Sequence, residues 1–166
     1  MINNLIKSMM TVSILSIVVL LIAFGATTAQ TESRITAGGR LEGAWNVRVS
    51  ITNCQTGAVI RSFDSITTFN QGGTVVDSTS GMPQALKTPG HGVWVHTAGQ
   101  YYAFRFKNFN FDQAGNYTGY TIIQHEAELD KTGDAYTSAG TAEIYAPNGI
   151  LVATGCSTTT ASRMTL

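Results

Sequence analysis

Residues 101–129 decide the fold class, and they read YYAFRFKNFNF, then DQAGN, then YTGYTIIQHEAEL. Apolar and polar side chains alternate in the two outer parts, and this period of two is typical of a β-strand. The glycine in the middle part can supply the positive φ that a tight reverse turn requires. The stretch therefore predicts a hairpin of two long strands.

The same pattern of β-rich runs and glycine-containing turns continues in both directions along the chain. The predicted strands cover 43–54, 58–70, 73–79, 91–97, 100–111, 116–130, 134–146 and 149–163. Most connections are short enough for hairpins, so consecutive strands should be antiparallel neighbours. Because an open meander leaves two exposed edges, we predict an all-β fold that closes into an eight-stranded antiparallel up-and-down barrel. A two-sheet sandwich is the competing layout.

The two cysteines of the chain bear on this closure. Cys54 ends the first predicted strand and Cys156 lies inside the last one. An even pair of cysteines in an exported chain predicts a disulfide. If the two strands pair antiparallel, the bridge sets a register that brings Trp45 opposite the neighbourhood of Arg163. Two free thiols are the alternative.

The segment Leu41-Glu-Gly-Ala-Trp45, together with Arg163, resembles the signature shared by lipocalins, fatty-acid-binding proteins and avidins. In this calycin-like group a Gly-x-Trp begins the barrel, and a basic residue near the end of the chain packs across the indole. The resemblance implies structural roles for Gly43, Trp45 and Arg163. The short, helix-free layout is also similar to barrel cyclases of the allene-oxide-cyclase kind.

The start of the chain differs from the rest. Lys7 is followed by an apolar run over residues 12–24 and by small residues at Thr27 and Ala29. A cationic start, an apolar segment and a small-residue cleavage site are the parts of a secretory signal peptide. We predict a signal peptide over 1–29 and a single barrel domain over 30–166. The protein would be secreted or periplasmic, with no membrane attachment after cleavage; an uncleaved anchor is the alternative.

Charge and motifs exclude several function classes. Charged residues make up only 12% of the chain, and loss of Lys7 with the leader leaves nine basic residues against ten acidic ones. This balance gives no footprint for nucleic acid or for an anionic membrane surface. His125 and Glu126 begin a zincin-like string, but Leu129 occupies the position of the second histidine. We therefore expect neither a metal site nor a cofactor.

Two histidines are candidates for a ligand site. His125 lies on the less polar face of the sixth strand, so it should point into the lumen, where it could orient a ligand or move a proton. A core histidine bonded to a neighbouring Thr or Tyr is the bland interpretation. His91 lies between Gly90 and Gly92 at the expected mouth of the barrel. Those glycines could equally serve only to bend the chain into strand four.

The orientation of the aromatic residues depends on strand register. A two-residue turn at Ala98-Gly99 would face Trp94 and His96 outward, and one more residue in the loop would face both inward. Tyr102 and Phe104 share one face of the fifth strand. A bulge near 107–108 would turn the later phenylalanines of that strand inward as well.

These observations favour a binding protein that holds a small apolar or aromatic molecule in the barrel. The predicted lining is Trp94, Tyr102, Phe104 and His125, with His91 at the mouth. One alternative is a cofactor-free isomerase or cyclase that uses His125 with a carboxylate for proton transfer. Another is a structural or assembly barrel with a solid core. Association into a homo-oligomer stays open.

Overall fold

The computed structural model describes residues 40–166, so the predicted signal peptide at 1–29 lies outside the described residues. Eight strands and one short 3-10 turn at Gln84–Leu86 make up this part of the chain. The strands are β1 Gly43–Thr52, β2 Val59–Asn70, β3 Thr74–Thr79, β4 Gly90–Ala98, β5 Tyr101–Phe111, β6 Tyr117–Leu129, β7 Ala135–Tyr145 and β8 Leu151–Arg163. Within residues 40–166, no helix has the length and apolar character needed to span a membrane.

Each strand pairs with the next one in the chain, and β1 pairs with β8 to close the barrel. The ladder between β1 and β8 runs from Trp45 opposite Arg163 to Thr52 opposite Cys156. The predicted antiparallel up-and-down barrel is therefore confirmed, and the sandwich alternative is wrong. Closure satisfies the backbone groups that two free edges would leave unpaired.

The barrel has two ends that differ in their contents. The first, here called the Trp45 end, carries the hairpin turns at 71–73, 99–100 and 130–134. The second, here called the cavity end, carries the connections at 53–58, 80–89, 112–116 and 146–150. Inward and outward side chains alternate along the strands, as the period of two requires.

Arg163 joins the two terminal strands at the Trp45 end. Its guanidinium lies 4.2 Å from the ring centroid of Trp45, an indole that is fully buried. The Arg163 guanidinium also donates hydrogen bonds to the carbonyl oxygens of Arg40, Glu42 and Gly133. A cation on an indole face and a fork of donors on carbonyls at the end of the barrel together fix the closing seam.

Gly43 is the position that makes this contact possible. Its φ is +124°, which L-residues with side chains rarely adopt, and an added Cβ would come within 2.8 Å of Nη1 of Arg163. The positive φ and the close approach of Arg163 both favour glycine at the first position of the Gly-x-Trp motif.

The predicted disulfide between Cys54 and Cys156 is present, and it spans 102 residues of sequence. Cys54 lies two residues beyond the end of β1, at the cavity end, whereas Arg163 acts at the Trp45 end. The seam between the first and last strands is therefore fastened near both ends.

The bulge near 107–108 that would turn the later phenylalanines of β5 inward does not form. The ladder between β5 and β6 continues without a shift up to Asn110 opposite Gly119. Phe109 is therefore 46% exposed and packs on the outer surface against Tyr117. Asn108 and Asn110 take the inward positions. The side-chain N–H of Asn108 donates to Oδ1 of Asn110 at 2.8 Å, and the side-chain N–H of Asn110 donates to the hydroxyl of Thr121 at 2.9 Å. Both amide groups therefore have a hydrogen-bond partner inside the barrel.

We predict that Arg163→Lys lowers the free energy of unfolding by about 1–3 kcal/mol, because an ammonium cannot supply the same fork of donors to three carbonyls. Chemical denaturation followed by tryptophan fluorescence measures this. Arg48→Lys is the matched control, since Arg48 forms an exposed ion pair with Asp64 and should change stability little. Equal effects of the two substitutions would contradict the role given to Arg163.

Removal of the disulfide by Cys54→Ser together with Cys156→Ser should lower the free energy of unfolding by about 2–4 kcal/mol, because a long loop is released in the unfolded chain. The far-ultraviolet circular dichroism spectrum should stay that of the folded barrel, since Arg163 still holds the seam. An unchanged denaturation midpoint would argue against the bridge as a stabilising element.

Candidate functional site

The Trp45 end of the barrel is filled by aromatic side chains. Phe69 lies at the centre and makes edge contacts with Trp94, Phe104 and Tyr136, at centroid distances of 5.9, 5.4 and 6.0 Å. Tyr136 in turn meets Trp45 at 4.9 Å. These rings leave a packed core at this end, here called the aromatic plug.

Two of the predicted ligand-binding residues belong to the plug. Trp94 and Tyr102 are both buried, with their ring centroids 6.0 Å apart, and neither lines the cavity described below. The ladder between β4 and β5 shifts between His96 and Ala98, so the loop is longer by one residue than a two-residue turn. Trp94 therefore faces inward, as the second of the two alternatives predicted. The indole N–H of Trp94 donates to the carbonyl oxygen of Asn70 at 3.0 Å, so its polar group is satisfied within the core.

The other half of the lumen contains a cavity of about 200 Å³. Exposed side chains, Arg61, Met82 and Ile144, line it at the cavity end, so it reaches the protein surface there. Its walls are mostly apolar. The principal apolar side chains are Val47, Val49, Ile51, Phe104, Phe106 and Ile123. Phe104 and His125 are the predicted site residues that the structure brings together at this cavity.

His91 does not line the cavity. It lies near the cavity end of β4, as predicted, but its side chain is exposed on the outer face between Val76 and Lys107 of the flanking strands. The glycines on either side of it face inward, and they make room for the ring of Phe106 and for the backbone of β5. A Cβ at Gly90 would lie 2.4 Å from this ring, and one at Gly92 would overlap the neighbouring strand. The Gly-His-Gly segment thus serves packing of the lumen.

His125 is buried in the cavity wall and stacks on Phe104 at 5.4 Å. Nδ1 of the imidazole hydrogen bonds to the hydroxyl of Ser138 at 2.8 Å, and Nε2 to that of Ser157 at 2.9 Å. The hydroxyl of Ser138 also meets that of Thr159 at 2.6 Å. Burial lowers the pKa of His125 to about 4, so the ring is neutral at neutral pH. The structural interpretation of His125, a core histidine bonded to a neighbouring Thr or Tyr, expected other partners than these two serines.

Asp77 is a buried carboxylate on the same cavity, and sequence reasoning missed it. Its Oδ2 accepts hydrogen bonds from the hydroxyls of Ser65 at 2.6 Å and Thr67 at 2.9 Å. Burial raises the pKa of Asp77, and the two hydroxyls and the charge of Lys87 oppose that rise. Two hydroxyl donors and a nearby cation favour the ionised form of Asp77 against the desolvation that a largely apolar lumen imposes.

Lys87 supplies that cation, and it was also missed. It lies in the 80–89 connection. This connection passes beside the end of β5, where Lys87 forms an isolated β-bridge with Asn110. Thr88 extends this pairing through a hydrogen bond from its backbone N–H to the carbonyl oxygen of Phe109 at 3.0 Å. The pairing turns the Lys87 side chain inward, where it is buried and lines the cavity. Burial lowers the pKa of Lys87, and attraction to Asp77 partly offsets this.

The two missed residues differ in how much the sequence says about them. Asp77 alternates with Val75 and Thr79 in β3, so strand parity alone marks it as a carboxylate on the inward face. Lys87 is in a connection with no period, and its inward position depends on pairing with a strand that follows later in the chain. No local pattern indicates that pairing.

Within residues 40–166, no group of three His, Cys, Asp or Glu side chains is placed to hold a metal ion. The fold and its lumen define the chain as a closed eight-stranded barrel with an internal cavity. Comparison of the sequence and structure with protein-family models, with curated proteins and with solved structures finds no match. The function must therefore be argued from the cavity itself.

The neutral imidazole of His125 makes stability depend on pH. Its pKa is about 4 in the folded protein against an ordinary value of 6.5. The unfolded chain therefore binds a proton first, and stability is lost as pH falls from 6.5 towards 4. The loss should reach about 3 kcal/mol for this group. Denaturation across this pH range, compared with His125→Gln, measures it, and an equal slope in both proteins would contradict the assignment.

Proposed function

We propose that this protein is an exported, calycin-like barrel that binds a small apolar or aromatic molecule in its lumen. The observation that carries the proposal is the cavity of about 200 Å³ that lies above the aromatic plug and reaches the surface at the cavity end. A barrel with a solid core would not contain this space, so the cavity favours the binding protein over the structural alternative.

The volume of the cavity limits the size of the ligand. An apolar cavity of about 150 Å³ accepts benzene in another protein. A cavity of about 200 Å³ therefore suits a single substituted ring or a short branched chain. Its walls, from Val47 and Val49 to Phe104 and Ile123, would contact the apolar body of such a molecule.

The charged groups of the cavity limit the charge of the ligand. Asp77 and Lys87 are both buried and carry opposite charges, so they balance each other inside the lumen. Arg61 lines only the exposed mouth, where water solvates it. A neutral ligand keeps the buried charges balanced, whereas an ionic ligand would add an uncompensated charge.

Export is supported by the leader-like start of the sequence and by the disulfide, since such bridges persist in oxidising compartments. The contact of Arg163 with Trp45 supports the calycin-like assignment. The enzyme alternative has weaker support, because both nitrogens of His125 are already engaged by serine hydroxyls. An imidazole with both nitrogens hydrogen bonded is better suited to a structural role in the cavity wall than to proton transfer with a substrate.

Binding of para-methylbenzyl alcohol, a neutral single ring with one hydroxyl, tests the proposal. We expect saturable shifts of amide signals from residues of the cavity wall in two-dimensional NMR spectra. Val49→Phe should weaken binding by about tenfold or more, because the added ring occupies the cavity. Val95→Phe is the matched control, since Val95 is 55% exposed on the outer face. Absence of binding, or equal binding by both variants, would overturn the proposal.

A further inference from the structure

Lys87 differs from the other two lysines of the described chain. Lys107 and Lys131 are exposed, and the ammonium of Lys107 lies over the ring of Tyr120 at 3.7 Å. Lys87 is only 8% exposed, and its side chain lines the cavity. An unconstrained lysine side chain keeps its ammonium in water, so the inward position of Lys87 is imposed by the fold around it.

The amine of Lys87 forms no ion pair among residues 40–166, and the charged group of this part of the chain that acts on it is Asp77. No polar side-chain atom in this part of the chain is both sealed from solvent and unpartnered. Because the Lys87 side chain is buried and lines the cavity, a molecule in the cavity approaches the amine from there. A reachable amine without an ion pair is free to meet a ligand.

Asp77 gives this amine a proton acceptor within the same cavity. Its Oδ2 is held by Ser65 and Thr67, and its charge acts on Lys87 without an ion pair between them. The other ionisable groups that face the cavity are Arg61 at the mouth, neutral His125 and Tyr136, whose pKa is raised by burial. Asp77 is thus the base of this set that is suited to exchange a proton with Lys87.

We propose that Lys87 captures a small neutral aldehyde or ketone in the cavity as a protonated imine, with Asp77 as its counterion. This inference rests on the proposed function, because the same apolar walls must first bind the body of the carbonyl compound. It names the chemical class of the ligand and the atom that holds it.

The reaction balances with groups already in the cavity. Asp77 takes a proton from the Lys87 ammonium, and the free Nζ attacks the carbonyl carbon, so that a C–N bond forms while the carbonyl π bond breaks. One proton then passes from the nitrogen to the alkoxide oxygen and gives the neutral carbinolamine. The carboxylic acid of Asp77 returns its proton to the carbinolamine hydroxyl, which leaves as water while the nitrogen lone pair forms C=N. The sum is one ammonium and one carbonyl compound giving one iminium and one water, with the net charge unchanged.

Two physical features favour this product over the free aldehyde. A desolvated lysine has a larger share of free amine, which is the nucleophilic form, and burial lowers the pKa of Lys87 in this direction. The apolar walls also limit the water that would hydrolyse the imine. Asp77 then balances the iminium as it balances the ammonium.

The test uses para-methylbenzaldehyde, which matches the alcohol above in size, and sodium cyanoborohydride to trap the imine in the full purified chain. Peptide mapping should place the reduced adduct on Lys87, at about tenfold or more over Lys107 and Lys131 in the same sample. Lys87→Arg should abolish this adduct, whereas Lys107→Arg should leave it unchanged.

The role of Asp77 has a separate readout. Asp77→Asn should slow adduct formation by about a hundredfold, since it removes the base, and binding of the alcohol should persist and show that the barrel is folded. Equal labelling of the three lysines would overturn the carbonyl proposal. So would an unlabelled Lys87 in a chain that still binds the alcohol, and this result would leave the proposed binding function standing. Loss of both the adduct and alcohol binding would overturn both.

Discussion

Pairing of β1 with β8 is the constraint on which the rest of the structure depends. It removes both edges of the meander, and it is held by Arg163 on Trp45 at one end and by the bridge from Cys54 to Cys156 at the other. Without this seam the sheet would open, and the plug and the cavity would lose their common wall. The register of the seam also fixes which side chains of the first and last strands enter the lumen.

The division of the lumen follows from how the strands are filled. Large rings on β2, β4, β5 and β7 occupy the Trp45 end, with Phe69 in contact with three of them. Towards the other end the inward positions carry smaller or polar residues, such as Val49 and Asn108. The rings close one half of the lumen, whereas the smaller side chains of the other half do not fill it and leave the cavity. The cavity is therefore a result of residue size along each strand.

The polar groups of the cavity show how a barrel keeps charge and hydrogen-bonding groups in an apolar space. His125 is neutral and held by two serine hydroxyls, and Asp77 is held by Ser65 and Thr67. The partners of Asp77 lie on the adjacent strand β2, because inward residues of paired strands lie side by side. His125 bonds to Ser138 on the adjacent strand β7 and reaches across Gly140 of that strand to Ser157 on β8. Lys87 differs from both, since its amine forms no ion pair among residues 40–166. A ligand in the cavity would therefore supply an interaction that the protein itself does not give this buried amine.

The sequence by itself determined the strands, the closed barrel, the disulfide, the approach of Arg163 to Trp45 and the inward face of His125. These depend on local period and on antiparallel pairing, both of which are written in the order of residues. Only the tertiary structure decided that Trp94 and Tyr102 pack in the plug, that His91 faces outward and that Lys87 enters the cavity. A shift of one residue in a ladder reverses the face of a strand, and a connection without period takes its orientation from whichever strand it meets.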